Sequence, residues 1–281
     1  MAFLASNEGR APDTLRMLAI VGWAAVLTWA LFHAAAGINV AYYERWPFWG
    51  DTASYLIRDF SILGSSDVSG WRGEALYYSL INPRDPIRTA FYALLRPEQI
   101  LSVNGHLYFS ALTAFLFFST FSASVWTRTR SIFYAMGAPC ITLLFLGLWS
   151  PMYGMPSHLP DLPAAFLLGS ALFALFIGRG SRGWLIFASG ALLGLATLSR
   201  YHVWVYGIFL LGPIVTLKAV EQFLRSGRSV RAFISPHLMF IAGLALIAGV
   251  FIIRSAAEVF YFYSVAGYGL DKTIVAALTT T

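Results

Sequence analysis

Apolar residues run almost without interruption from Met17 to about Val40. Such a run is long enough to cross a bilayer core, which takes about 20 helical residues. Six more apolar runs follow, at Ile100–Trp126, Ser131–Trp149, Leu162–Gly178, Trp184–Leu198, His202–Leu217 and Leu238–Ile253. Between the first and second lies a polar connection, Ala41–Gln99, broken at Gly64-Ser65-Ser66-Asp67 and at Asn82-Pro83. Within it, Gly73–Ile81 and Pro86–Leu95 carry apolar residues on one face and are candidate helices lying on the membrane. A connection of this length is uncommon unless it does something. The pattern predicts an all-α, polytopic transmembrane protein with about seven spans and a long first outer loop carrying interfacial helices. It forms a single transmembrane domain over residues 1–281: the loop over 41–99, a six-span bundle over 100–253, and an outward C-terminal segment over 254–281. Ala34-Ala35-Ala36 resembles a signal-peptide cleavage site, but the apolar run continues past it, as in an uncleaved anchor. The segment rich in Phe260, Tyr261, Phe262, Tyr263 and Tyr268 is followed by a new apolar start at Thr273–Leu278. That ending suggests an eighth span not reached and a partial or split chain, with an ordinary short tail as the alternative.

Composition supports the membrane reading. The 281 residues are 58% hydrophobic and 16% aromatic but only 11% charged, against about a quarter charged in soluble domains. The formal charge of +6 does not point to nucleic acid, because the basic residues sort by side. Arg10, Arg16, Arg128, Arg130, Arg179, Arg182, Lys218, Arg225, Arg228 and Arg231 fall on one side with three acids, while nine basic and ten acidic residues fall on the other. By the positive-inside tendency the N-terminus is cytoplasmic, and the first long loop, Pro151–Asp161 and Arg200 face outward. The stretch Glu221–Phe233 contains a basic amphipathic segment suited to an anionic leaflet, or to a plain solvated linker. Gly190 and Gly194 form a G-x-x-x-G, read as close helix packing. Cys140, the single cysteine, excludes an intrachain disulfide and behaves as a small buried hydrophobe.

Three outward connections carry ionisable groups. The first, W-P-F-W-G-D-T-A-S-Y-L-I-R-D from Trp46 to Asp59, sets Asp51 just past a membrane boundary between tryptophans that favour the interface. After Gly50 it reads as a short helix with Asp51, Tyr55 and Arg58 sharing a face. The second is P-M-Y-G-M-P-S-H-L-P-D-L-P, with His158 and Asp161 just before the fourth span; the third is L-S-R-Y-H-V-W, with Arg200 and His202 between two closely spaced spans. Charges near hydrocarbon are costly and tend to face a cavity or a partner. Each residue also has a structural reading: Asp51 or Asp161 as a helix cap, Arg200 reaching to lipid phosphates, either histidine as a satisfied loop residue. His158 with Asp161 offers two ligands of the kind a divalent metal ion takes, too few alone to define a site. No G-x-x-x-x-G-K-[ST], G-x-G-x-x-G or H-E-x-x-H occurs, and no nucleophile elbow supports a Ser–His–Asp reading.

Taken in order, these features resemble the GT-C superfamily of membrane glycosyltransferases, which use polyprenyl-phosphate sugars and include protein mannosyltransferases and lipid A aminoarabinose transferases. The resemblance rests on W-G-D-T-A-S-Y early in the outer loop, L-P-D-L-P-A-A-F-L-L-G before a later span, and L-L-G-L-A-T-L-S-R-Y-H after it. The first-loop acid is single here, where many members have an acidic pair, and members are usually longer, so the chain resembles an N-terminal module. The resemblance implies an inverting transfer from a polyprenyl-phosphate-linked sugar donor on the extracytoplasmic side of a bacterial inner membrane, with Asp51 as the general base. Arg200, with His202, neutralises the departing lipid phosphate; Arg58, Arg84 and Arg88 are secondary phosphate contacts, and Tyr55 lies in the binding region. Asp161 orients substrate or, with His158, holds a divalent ion. Membrane lipid holds the donor's tail, and a partner membrane subunit or a missing C-terminal part completes the assembly. Two other classes compete: a non-catalytic multi-span subunit or scaffold, and a transporter, which should place acids or broken helices near mid-span, whereas here the ionisable groups sit at span ends.

Overall fold

The computed structural model describes residues 10–43, 70, 72–73, 75–77, 86–102, 104–150, 154–156, 159–177 and 182–261. Among them every regular element is helical. The elements are α1 (Arg10–Tyr43), α2 (Pro86–Tyr92), α3 (Pro97–Leu101), α4 (Gly105–Thr129), α5 (Ile132–Cys140), α6 (Asp161–Ala174), α7 (Gly183–Ser199), α8 (Val203–Arg225), α9 (Val230–Leu244) and α10 (Val250–Tyr261). A single π-helical turn, Ala245–Gly249, joins α9 to α10. Four helical stretches, Asp13–Ala41, Gly105–Thr129, Val203–Arg225 and Val230–Ala256, are long and apolar enough to cross a membrane, as an integral membrane protein requires. Three shorter apolar helices, Ile132–Leu144, Asp161–Ala174 and Gly183–Ser199, fall in the other expected spans.

The core is apolar, but side-chain placement departs from the usual soluble order in two respects. Ser110, Thr113, Ser122, Ser170, Ser189, Thr197 and Ser199 are buried, while Leu146, Val250 and Ile253 are more than 80% exposed. Small hydroxylated residues inside and bulky aliphatics outside suit a bundle whose solvent is lipid. Ser170 and Thr197 donate to the carbonyls of Phe166 and Leu193 on their own helices at 2.8 and 2.9 Å, and Ser189 crosses from α7 to the Ala171 carbonyl of α6 at 2.7 Å, whereas the Ser122 and Ser199 hydroxyls have no hydrogen-bond partner among the described residues.

The helices pack α1 on α4, α4 on α6, α6 on α7, α7 on α9, and α9 on α8. Between α4 and α6 the seam is aromatic: Phe121 and Phe173 stack at 4.2 Å between ring centroids and Phe117 meets Phe166 at 5.3 Å. Between α7 and α9 it is glycine. A Cβ on Gly190 meets the Phe240 carbonyl oxygen, one on Gly243 meets the Phe187 carbonyl, and one on Gly194 comes to 2.8 Å from Ile247 Cβ. The G-x-x-x-G therefore brings two backbones together, and Gly243 completes it from the facing helix. Gly190→Ala is expected to cost about 1–3 kcal/mol, the range for forcing extra volume into a packed contact. Gly212→Ala, on α8 with open space around it, should be neutral or slightly stabilising because alanine is the better helix former. Thermal unfolding of the two variants in detergent checks this; equal midpoints would contradict the packing role.

Some boundaries differ from the sequence reading. The third apolar run is helical only to Cys140 and then passes into two 3₁₀ turns, Ile141–Leu144 and Leu146–Trp149. Pro139 sits inside α5 and cannot donate to the helix ladder. The connection between α8 and α9 shrinks to four residues, 226–229, where the expected spans left residues 218–237 between them. The last helix runs to Tyr261, past the expected end at Ile253. Pro86–Tyr92 is helical within the second expected stretch, Pro86–Leu95, whereas most of Gly73–Ile81 lies outside the described residues.

Candidate functional site

The two ends of the bundle are distinct. At one, Asp13 pairs with Arg130 at 3.7 Å, Arg16 and Arg130 lie over Trp126, and Arg128 lies over Phe176. At the other, α6 starts, α7 ends and α8 starts, so residues far apart in sequence converge. Arg200 Nε lies 3.2 Å from Asp161 Oδ1, with the two side chains 32% and 44% exposed. The Arg200 Nε–H is not aligned to hydrogen-bond, so this is a charge contact, and no other partner holds the terminal guanidinium nitrogens among the described residues. Local folding explains the placement. Pro160 is the residue preceding α6 and no side chain caps the helix, so Asp161 is in the first turn and not the capping residue. Arg200 closes α7, its backbone N–H donating to the Ala196 carbonyl at 2.9 Å. An acid at a helix N-terminus and a cation at a helix C-terminus each complement the helix dipole.

His202 follows directly. Its pKa is held below the ordinary histidine value, mainly by burial, then by the Arg200 charge, with Asp161 pulling the other way. Its ring stands edge-on to Tyr206 at 5.7 Å. Burial also raises the Tyr201 phenol, and this ring packs on Phe251 at 6.0 Å. The sign for His202 is definite. Above the unfolded value near 6.5 the ring is neutral in both states and contributes nothing; as pH falls through that value the unfolded chain takes the proton first, so stability is lost until the folded ring also titrates. The thermal midpoint is expected to drop between pH 7.5 and pH 5 by more in the wild type than in His202→Gln. Parallel pH profiles would contradict it.

Other buried polar groups are ones the sequence reading passed over as parts of apolar spans. His106, buried at the start of α4, donates from Nε2 to the Pro156 carbonyl at 3.0 Å, holding the connection before α6 against the bundle. Asn39, buried on α1, donates to Asn104 Oδ1 at 2.9 Å. A histidine and an asparagine inside otherwise apolar stretches are the signal that could have found them, because such groups are costly there without a role. Arg88 is 2% exposed on α2, and α2 packs against α7, the helix that ends at Arg200.

The described residues thus bring Asp161, Arg200 and His202 together, with the helix of Arg88 packed on α7. Asp51, Tyr55, Arg58, Arg84 and His158 lie outside the described residues. Among the described residues no three His, Cys, Asp or Glu side chains come together as a metal site. What the arrangement offers chemically is an anion-binding face: a part-exposed guanidinium with free terminal nitrogens, a neighbouring imidazole that stays neutral, and one carboxylate that orients the guanidinium. No family model, curated protein or solved structure matches this chain.

Proposed function

We propose that the protein is an inverting membrane glycosyltransferase of the GT-C type, moving a sugar from a polyprenyl-phosphate donor to an acceptor hydroxyl or amine on the extracytoplasmic side. In this reading the four long helices and the three shorter apolar ones all cross, the Asp13 end is cytoplasmic, and the Asp161 end with the loop over 41–99 faces outward in a bacterial inner membrane. Asp51 takes the acceptor's proton as the acceptor attacks the anomeric carbon. The new glycosidic bond forms as the bond from that carbon to the phosphate oxygen breaks, and the electron pair leaves with the polyprenyl phosphate. Arg200 meets that developing charge, an electrostatic role worth most where water is scarce. Tyr55, Arg58, Arg84 and Arg88 supply donor contacts, and His158 with Asp161 is the pair for a divalent ion.

The observation that carries this reading is the meeting of Asp161 and Arg200, which come from different helices, at the end of α7. A guanidinium held at a span end suits a lipid phosphate better than any transport path through mid-span. Transfer of label from a polyprenyl-phosphate sugar by membranes containing the chain tests it, with inverted anomeric configuration in the product and Asp51→Asn as the comparison. A second reading keeps one specific support: the Asp161–Arg200 pair also complements two helix ends, as a structural latch in a non-catalytic subunit does. Such a subunit binds donor or partner and transfers nothing.

A further inference from the structure

The opposite end of the bundle carries a feature that sugar transfer does not use. The turn between α8 and α9 is tightly built: Gly227 and Arg228 both take left-handed backbone, at φ +69° and +68°. The Arg228 N–H donates to the Phe223 carbonyl at 2.9 Å and the Ser226 N–H to the Gln222 carbonyl at 3.0 Å. Glycine meets the first left-handed position without strain; an arginine in the second is uncommon. Folding the two helices back leaves an open groove of about 400 Å³ lined by Val220, Phe223, Leu224, Val230 and Phe233, with no polar atom in its wall. Leu224 and Val230 are more than 60% exposed, as is Leu217 further back on α8, so the groove opens onto an exposed apolar surface.

Its charged rim is one-signed. Arg225 is neutralised by Glu221, to which it is paired at 2.6 Å. Arg228 and Arg231, both exposed, have no carboxylate partner among the described residues. A wall without hydrogen-bonding groups leaves a peptide's backbone unsatisfied, at a cost, but suits an acyl chain, which needs none. Two unpaired arginines beside that wall suit a phosphate.

We propose that this groove is a binding site for an anionic phospholipid, one acyl chain lying against Val220, Phe223, Leu224, Val230 and Phe233 and the headgroup phosphate held by Arg228 and Arg231. The site depends on the membrane character of the chain and not on the glycosyltransferase reading.

The test uses the purified full chain in neutral detergent, with thermal unfolding followed during titration with dioleoylphosphatidylglycerol or dioleoylphosphatidylcholine. Phosphatidylglycerol is expected to bind at least tenfold more tightly than phosphatidylcholine. Arg228→Asn with Arg231→Gln, in which asparagine tolerates the left-handed position, should weaken phosphatidylglycerol about 30-fold, since each arginine near an anionic lipid contributes about fivefold. Leu224→Trp, which fills the groove and keeps the charges, should weaken it as well, and decides the matter alone if the double variant does not fold. Glycerol 3-phosphate should give no shift. Equal affinity for the two lipids, unchanged affinity in the folded variants, or a glycerol 3-phosphate shift as large as that of the lipid would overturn the proposal.

Discussion

Membranes carrying Asp51→Asn are expected to transfer sugar between 10² and 10⁴ times more slowly than wild type, the usual contribution of a positioned general base. The variant isolates the chemistry because asparagine matches aspartate in shape and hydrogen-bonds well, but cannot take a proton from the attacking acceptor at neutral pH. Yield, helicity and thermal midpoint should stay close to wild type, and donor binding should persist. Asp51→Glu sharpens the test: it keeps the base but moves it by one methylene, and displacements of about 1 Å in a reacting geometry cost about 10²-fold. The expected order of activity is therefore aspartate, then glutamate, then asparagine. If Asp51→Asn keeps more than a tenth of wild-type turnover, the acid is not the base, and capping of the loop helix becomes its explanation. A scaffold subunit predicts no change in any of the three.

Much of the bundle was legible in the sequence because a membrane imposes a simple code. Each of the seven apolar runs, from Met17–Val40 to Leu238–Ile253, contains α-helix, although the third is α-helical only to Cys140, and Gly190-x-x-x-Gly194 marks the close approach of α7 to another helix. The partner was not legible: Gly243 has no motif of its own, and only the packing of α9 shows that its backbone meets Phe187. The same limit applies at the site. Asp161 and Arg200 stood out as charges at span ends, yet their contact depends on α6 and α7 lying side by side in opposite directions, which no local pattern encodes. Arg88 read as one of six loop arginines; its burial is a matter of tertiary packing that no local pattern encodes. His106 and Asn39 were hidden because an apolar average absorbs a single polar residue. The break after Cys140, by contrast, follows from one residue visible in the sequence, Pro139. The end of α10 was misplaced because Arg254 looked like the start of a loop, whereas it is exposed while its neighbour Ser255 faces the bundle.

Arg200→Ala is expected to lower transfer 10²–10³-fold, the usual loss when one donor to a developing oxyanion is removed, while changing stability by about 2 kcal/mol or less. The two effects separate because of where the pair sits. With both side chains about a third or more exposed, water screens the attraction, and exposed ion pairs contribute about 0–1 kcal/mol. The helix-end charges add about 0.3–1 kcal/mol each. A latch of that strength cannot account for a hundredfold loss of turnover in a protein that remains folded. Arg200→Lys should fall between, because a lysine keeps the charge but not the planar fork that meets phosphate oxygens. Asp161→Asn should cost less than Arg200→Ala, since it loosens the orientation of the guanidinium without removing it. The exchange Asp161→Arg with Arg200→Asp separates the two roles. It restores an opposite-charge contact, though each charge now opposes its helix dipole, and it puts the cation on α6 in place of α7. If the site binds a leaving phosphate, the exchanged protein folds but transfers no better than Arg200→Ala. Recovery of half or more of wild-type transfer would make the pair a latch and leave the phosphate without its principal partner.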